Sequence, residues 1–178
     1  MTHGPKLFGI LNITADSFSD GGRYLEPAAA LAHGRGLTAD GADAVDVGAA
    51  SSNPDAGAVG AATEIARLAP VVPALMAEGI AVSIDSYEPE VQLWALAQGV
   101  AYLNDIHGFP DPALYPRLAD SAAGLIVMHA VQDRGKASRM DVPPNEIMGR
   151  IFAFFDARLA ALEGAGIARS RLVLDPGM

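Results

Sequence analysis

The chain contains no cysteine, so neither a disulfide nor a thiolate metal site can hold it together. It also has no block of lysine or arginine. Its 12 basic residues stand against 21 acidic ones, for a formal net charge of -9, which argues against nucleic acid as a partner. No apolar run approaches the roughly 20 residues that a membrane-spanning helix needs. Residues 1–6 lack the charged, apolar and small-residue regions of a secretory leader. The expectation is a cytoplasmic protein with no membrane partner. What is present is a globular composition, 51% hydrophobic and 19% charged over 178 residues, enough for one sizeable core.

Six short apolar runs punctuate the chain: Lys6–Leu11, Ala44–Val47, Ala81–Ile84, Val100–Leu103, Leu125–Met128 and Arg171–Leu174. They are rich in Val, Ile and Leu without strict alternation, the pattern of strands buried on both faces. Helical spacing fills the intervals. Ile65, Leu68, Val72, Leu75 and Met76 recur every three or four residues, as do Met148, Ile151, Phe152, Phe155, Leu159 and Leu162. Pro70 and Pro73 predict a kink or a split in the first of these segments. Gly34 and Gly36 make the helix after Glu26 the least favoured of the set. This alternation predicts an α/β fold with a parallel sheet and right-handed crossovers, in a single domain over residues 1–178.

The run ends carry the functional signal. A polar residue comes at the end of each: Asn12, Asp46, Asp85, Asn104 with Asp105, His129 and Asp175. In a parallel barrel all strand C-termini open on one face, where the βα loops build the active site. Turn formation and helix capping also place polar residues there, but six in succession favour a shared functional rim. A (β/α)8 TIM barrel has eight strands and about 250 residues. Here Asp175-Pro176-Gly177-Met178 follows the sixth run at once. The expectation is a barrel truncated after about six strands, its site incomplete.

The first loop reads Gly9-Ile10-Leu11-Asn12-Ile13-Thr14-Ala15-Asp16-Ser17-Phe18-Ser19-Asp20-Gly21-Gly22. A polar loop of this length suggests function, although an ordinary surface loop has the same composition. Its Asn and Asp oxygens suit a hard cation such as Mg2+. This stretch closely resembles the N-terminal signature of the dihydropteroate synthases, which usually reads G-I-L-N-V-T-P-D-S-F-S-D-G-G. Further matches follow in order: Asp85-Ser86, Leu103-Asn104-Asp105-Ile106, Val127-Met128-His129 and Leu174-Asp175-Pro176-Gly177. The resemblance extends from Phe8 to Met178.

The resemblance implies an enzyme that joins 6-hydroxymethyl-7,8-dihydropterin diphosphate to 4-aminobenzoate, giving 7,8-dihydropteroate and pyrophosphate with the help of Mg2+. It implies that Asp85, Asn104 and Asp175 bind the pterin, whose amino and ring N–H edge suits carboxylate and amide acceptors. Asp85 and Asp175 would also act in catalysis, Asp175 by stabilising a cationic pterin. Asn12 would bind Mg2+ or the diphosphate, and Ser52 stands where the family usually has a diphosphate-contacting Thr. The full-length protein would be a homodimer.

One departure is notable. The second loop reads Gly48-Ala49-Ala50-Ser51-Ser52-Asn53-Pro54, where the family usually has G-G-E-S-T-R-P. Asn53 thus replaces a positive charge. With Gly108-Phe109-Pro110-Asp111-Pro112 and Ala113-Leu114-Tyr115-Pro116, this segment is similar to the mobile sulfonamide-insensitive synthases, which implies sulfonamide resistance. Lys6 and Arg23 make a weak anion cradle, and the family's later Lys and Arg-x-His lie beyond Met178. The 178 residues alone are therefore expected to turn over little or not at all.

His129 has no second histidine at ligand spacing, which favours a structural or orienting role over metal binding. Trp94 and Tyr102 read as packing, and His107 and Gln132–Arg139 as loop surface. Two other readings remain open at this level. One is a methyltetrahydrofolate-binding methyltransferase domain, which lacks the Asp-Ser-Phe-Ser-Asp-Gly-Gly loop. The other is a non-catalytic pterin-binding remnant.

Overall fold

Each of the six apolar runs becomes a strand, and most strands extend one or two residues further toward the C-terminus than the runs do. In the computed structural model, which describes residues 4–14, 26–50, 59–130 and 143–177, the chain divides into two compact units, Met1–Ser86 and Tyr87–Met178. The first holds β1 (Phe8–Asn12), α1 (Pro27–Ala39), β2 (Ala44–Gly48), α2 (Ala61–Leu68), α3 (Val72–Ala77) and β3 (Val82–Asp85). Its strands pair in parallel in chain order, with Asn12 opposite Gly48 and Gly48 opposite Asp85. The second holds α4 (Pro89–Gln98), β4 (Tyr102–Asp105), a 3-10 turn at Pro112–Leu114, α5 (Tyr115–Asp120), β5 (Gly124–Met128), α6 (Pro144–Gly164) and β6 (Leu172–Asp175). Here β4, β5 and β6 are again parallel and in order, with Asn104 opposite Ile126 and Met128 opposite Asp175.

Side chains alternate across a strand, and burial shows which face meets the helices. Leu11, Val45, Val47, Val82 and Ile84 are buried in the first unit, and Leu103, Leu125 and Val127 in the second. The helix pattern is also realised. The segment with Pro70 and Pro73 splits into α2 and α3. By contrast α1 runs unbroken through both glycines. A Cβ at Gly34 would lie 3.0 Å from Leu75 Cδ2, so the glycine lets α1 approach α3 closely. Gly36 faces open space, and nothing in the structure explains it. Along α6, Phe155 and Leu162 are buried, while Met148 and Phe152 are exposed despite their place in the apolar spacing. Among the described residues no helix is long and apolar enough to cross a membrane.

Candidate functional site at the strand ends

The strand ends are where the sequence reading needs its main adjustment. Asn12, Asp85, Asp105 and Asp175 do not follow their strands; they are the last residues within them, and Asn104 is the last but one. The ladder holds them there. Beyond Asn12, for example, the Ile13 amide still donates to the Gly48 carbonyl at 2.7 Å. Asp46 is a true departure. It is the third of five residues in β2 rather than a residue after it, because pairing with β1 and β3 continues through Gly48.

In the first unit this register builds a row. Asn12, Gly48 and Asp85 stand side by side on the face turned away from α1 and α3. Gly48 has no side chain, and the two neighbours lean over it. A Cβ there would meet Asn12 Oδ1 at 3.3 Å and Asp85 Oδ2 at 3.6 Å. An amide oxygen and a carboxylate thus share one small patch, both half-buried. The next row down carries Ile10, Asp46 and Ser83. Helix α2 pins the backbone around the patch. Arg67 donates to the Ala49 carbonyl at 2.7 Å, and the buried Glu64 accepts from the Ser86 hydroxyl at 2.9 Å. Neither residue carries a signal in the sequence, since each is one charge in a helix with others.

In the second unit, Asn104 and Asp175 fall on the same face as Ile126 and Met128. Asp175 is partly engaged by its own loop, its Oδ1 accepting from the Gly177 amide at 2.9 Å. His129 is buried, in keeping with a structural role. Its amide donates to the Asp175 carbonyl at 2.8 Å, its Nδ1 lies 3.4 Å from the Pro176 carbonyl, and its ring meets Phe154 edge-on with centroids 5.1 Å apart. Tyr102 packs over Gly124, where a Cβ would fall 2.5 Å from the ring. Trp94 is half-buried, as packing requires. His107 is half-buried too, not free surface, and its ring lies 5.0 Å from that of Tyr87.

Sequence reasoning missed Asp105 as a separate feature. Its carboxylate, 1% exposed, points away from Asn104 toward the helices. Oδ2 accepts from Gln92 Nε2 of α4 at 2.9 Å and from the Phe109 amide at 3.2 Å; Oδ1 accepts from the His107 amide at 2.8 Å. Burial outweighs these donors and pushes the carboxyl above its ordinary value. The loop it grips is strained. Phe109 is fully buried at φ 56, a left-handed conformation that costs a bulky residue about 1–3 kcal/mol.

Ser52 and Asn53, and the first loop from Ala15 through Arg23, lie outside the described residues, as does Gln132–Arg139. Among the described residues no group of three or more His, Cys, Asp or Glu could hold a metal alone.

Comparison with known proteins gives this arrangement a setting. A family model described as pterin binding enzyme matches residues 8–178. The chain is 66% identical over 172 residues to dihydropteroate synthase type-2 of Escherichia coli, covering 97% of this chain and 63% of that protein. It is 50% identical over 173 residues to dihydropteroate synthase type-3 of Escherichia coli, covering 97% and 66%. Among solved structures, the Burkholderia cenocepacia dihydropteroate synthase complexed with 7,8-dihydropteroate superposes with a TM-score of 0.84 at 33% identity, over 99% of this chain and 59% of that one. The chain therefore spans a little under two-thirds of the length of these relatives, and it shares their alternation of parallel strands and helices.

Proposed function

This chain belongs to the family of pterin binding enzymes, and we propose that it serves as a dihydropteroate synthase. The reaction joins 6-hydroxymethyl-7,8-dihydropterin diphosphate to 4-aminobenzoate in folate biosynthesis, within one cytoplasmic domain that includes residues 1–178, in a homodimer. The observation that carries the reading is the row Asn12–Gly48–Asp85, with an amide oxygen and a carboxylate brought together over a residue without a side chain. The relatives' identity supports it.

In this reading Asp85, Asn104 and Asp175 accept hydrogen bonds from the amino and ring N–H edge of the pterin. The bond between the methylene carbon and the diphosphate oxygen breaks, pyrophosphate leaves with the electron pair, and positive charge develops on the pterin. The 4-aminobenzoate nitrogen then forms the new C–N bond and gives up a proton to solvent. Asp85 and Asp175 stabilise the cation electrostatically, and the Ser52 hydroxyl contacts the diphosphate. Mg2+ fits this chain only together with its substrate. The Asn12 amide oxygen is one hard ligand, and Mg2+ commonly takes one or two protein oxygens plus phosphates. Once bound it would neutralise the departing pyrophosphate.

The test is transfer. The chain is joined in frame to the C-terminal third of the type-2 relative and supplied with both substrates and Mg2+. Pyrophosphate release is expected from the joined protein, little or none from the 178 residues alone, and none from the joined protein carrying Asp85→Ala. A folded joined protein that releases none overturns the assignment. Sulfonamide resistance is part of the proposal and rests on Asn53, which replaces the family's usual cation. Growth of a folate-auxotrophic bacterium carrying the joined protein should persist on sulfonamide medium; growth only without the drug contradicts resistance.

A further inference from the structure

The segment Gly108-Phe109-Pro110 has no task in the proposed reaction, yet its backbone is fixed from several sides. The Asp105 carboxylate holds the amides of His107 and Phe109, and the Asp105 carbonyl accepts from the Gly108 amide at 2.9 Å. Gly108 sits at φ 66 where a Cβ would lie 2.8 Å from Phe154 Cζ and 3.0 Å from Val127 Cγ1. The Phe109 carbonyl in turn accepts from the Tyr115 hydroxyl at 3.1 Å and from Arg158 Nη1 at 3.4 Å. A bulky residue persists in such a conformation only where its surroundings over-determine it.

Three of these bonds, from the amides of His107, Gly108 and Phe109, end on the residue next to Asn104. Successive side chains of a strand leave on opposite faces, so whatever fixes the pleat at Asp105 fixes the direction in which Asn104 is presented. We infer that Asp105 is a positioning residue for the pterin site: its carboxylate clamps the exit of β4 and thereby sets the orientation of Asn104. The inference rests on the proposed pterin role of Asn104. Stability alone is a poor reason to keep a charge here, because the buried carboxylate is held above its ordinary range, and a neutral isostere would avoid that cost. An asparagine cannot replace it in function. Gln92 could turn its amide to suit the new side chain, but His107 and Phe109 use different carboxylate oxygens, and Asn has only one to offer.

The test uses calorimetry of 6-hydroxymethylpterin binding to the 178-residue chain. Asp105→Asn is expected to weaken affinity about tenfold, with faster amide hydrogen exchange at Phe109 or His107. Asn104→Ala should weaken it at least as much, and Asp105→Asn added to Asn104→Ala should weaken it no further, because the carboxylate acts through Asn104. Gln92→Leu keeps both amide contacts but removes the donor that holds the carboxylate in place. It should give a smaller loss, again absent in the Asn104→Ala background, and it serves as the test if Asp105→Asn does not fold. A merely structural role would lower the unfolding temperature and leave the affinity of the folded chain alone. Unchanged affinity in both variants, or a loss that adds fully to that of Asn104→Ala, overturns the inference by itself. A wild-type chain that takes up no pterin overturns the parent reading and this one together.

Discussion

The two units present their strand ends in different ways. In the first, Asn12 and Asp85 flank a bare glycine and remain half-buried, with their side-chain oxygens leaning over it. In the second, Asp105 is withdrawn among the helices, where it accepts three hydrogen bonds and locks a strained loop. The first arrangement gathers an amide and a carboxylate beside a residue without a side chain, and the second spends its carboxylate on backbone geometry. Asp85 and Asp105 are both acidic residues at the end of a parallel strand, so residue type does not separate them. What separates them is the face of the strand on which each falls.

The largest expected effect comes from breaking the second arrangement. Gly108→Ala forces a left-handed conformation on a side chain that also meets Phe154 and Val127. It should cost about 2–4 kcal/mol in chemical denaturation; a loss below the error of the measurement would mean that the loop is not tightly held. Gly48→Ala probes the first arrangement and should do the reverse. Its backbone is unstrained and only Asn12 Oδ1 is crowded, at 3.3 Å, so stability should fall by less than about 1 kcal/mol. Pterin affinity should drop severalfold, since the methyl group fills the space between the two acceptors. Equal affinity in Gly48→Ala would remove the patch from the site.

The smallest effect sharpens the comparison through pH. Burial raises the Asp105 carboxyl above the 3.8 of an ordinary aspartate. Between that value and its raised native value, the folded chain holds more proton at this site than the unfolded chain does. Its contribution to stability therefore falls as pH rises through the window and recovers as pH falls, the reverse of an ordinary paired carboxylate. Measured against Asp105→Asn, the wild type should gain in unfolding temperature between neutral pH and about pH 4. A difference that stays constant, or moves the other way, contradicts the burial argument.

How far the sequence could be read follows the same division. The six strands were legible because apolar runs bounded by turn chemistry are strong local signals, and the split between α2 and α3 because Pro70 and Pro73 each remove a backbone donor. That Asn12, Asp85, Asn104 and Asp175 lie at the ends of strands was legible from their places at the run ends. The strand limits were not, because pairing with neighbouring strands draws Asn12 and Asp85 into the ladder and leaves Asp46 in mid-strand. The close approach of α1 to α3, with Leu75 against Gly34, is a contact between segments far apart in the chain. The work of Gln92, Glu64 and Arg67 was hidden for the same reason: each makes its bond to another element, and its own segment gives no hint of it.

A pterin site on this chain requires the Asp85 carboxylate, set beside Asn12 over Gly48, to be a ligand acceptor. Calorimetric titration of 6-hydroxymethylpterin onto the wild-type chain and onto Asp85→Asn measures this directly. Binding by the wild type with at least about a tenfold loss in the variant is the predicted result. Equal binding by the two would contradict it.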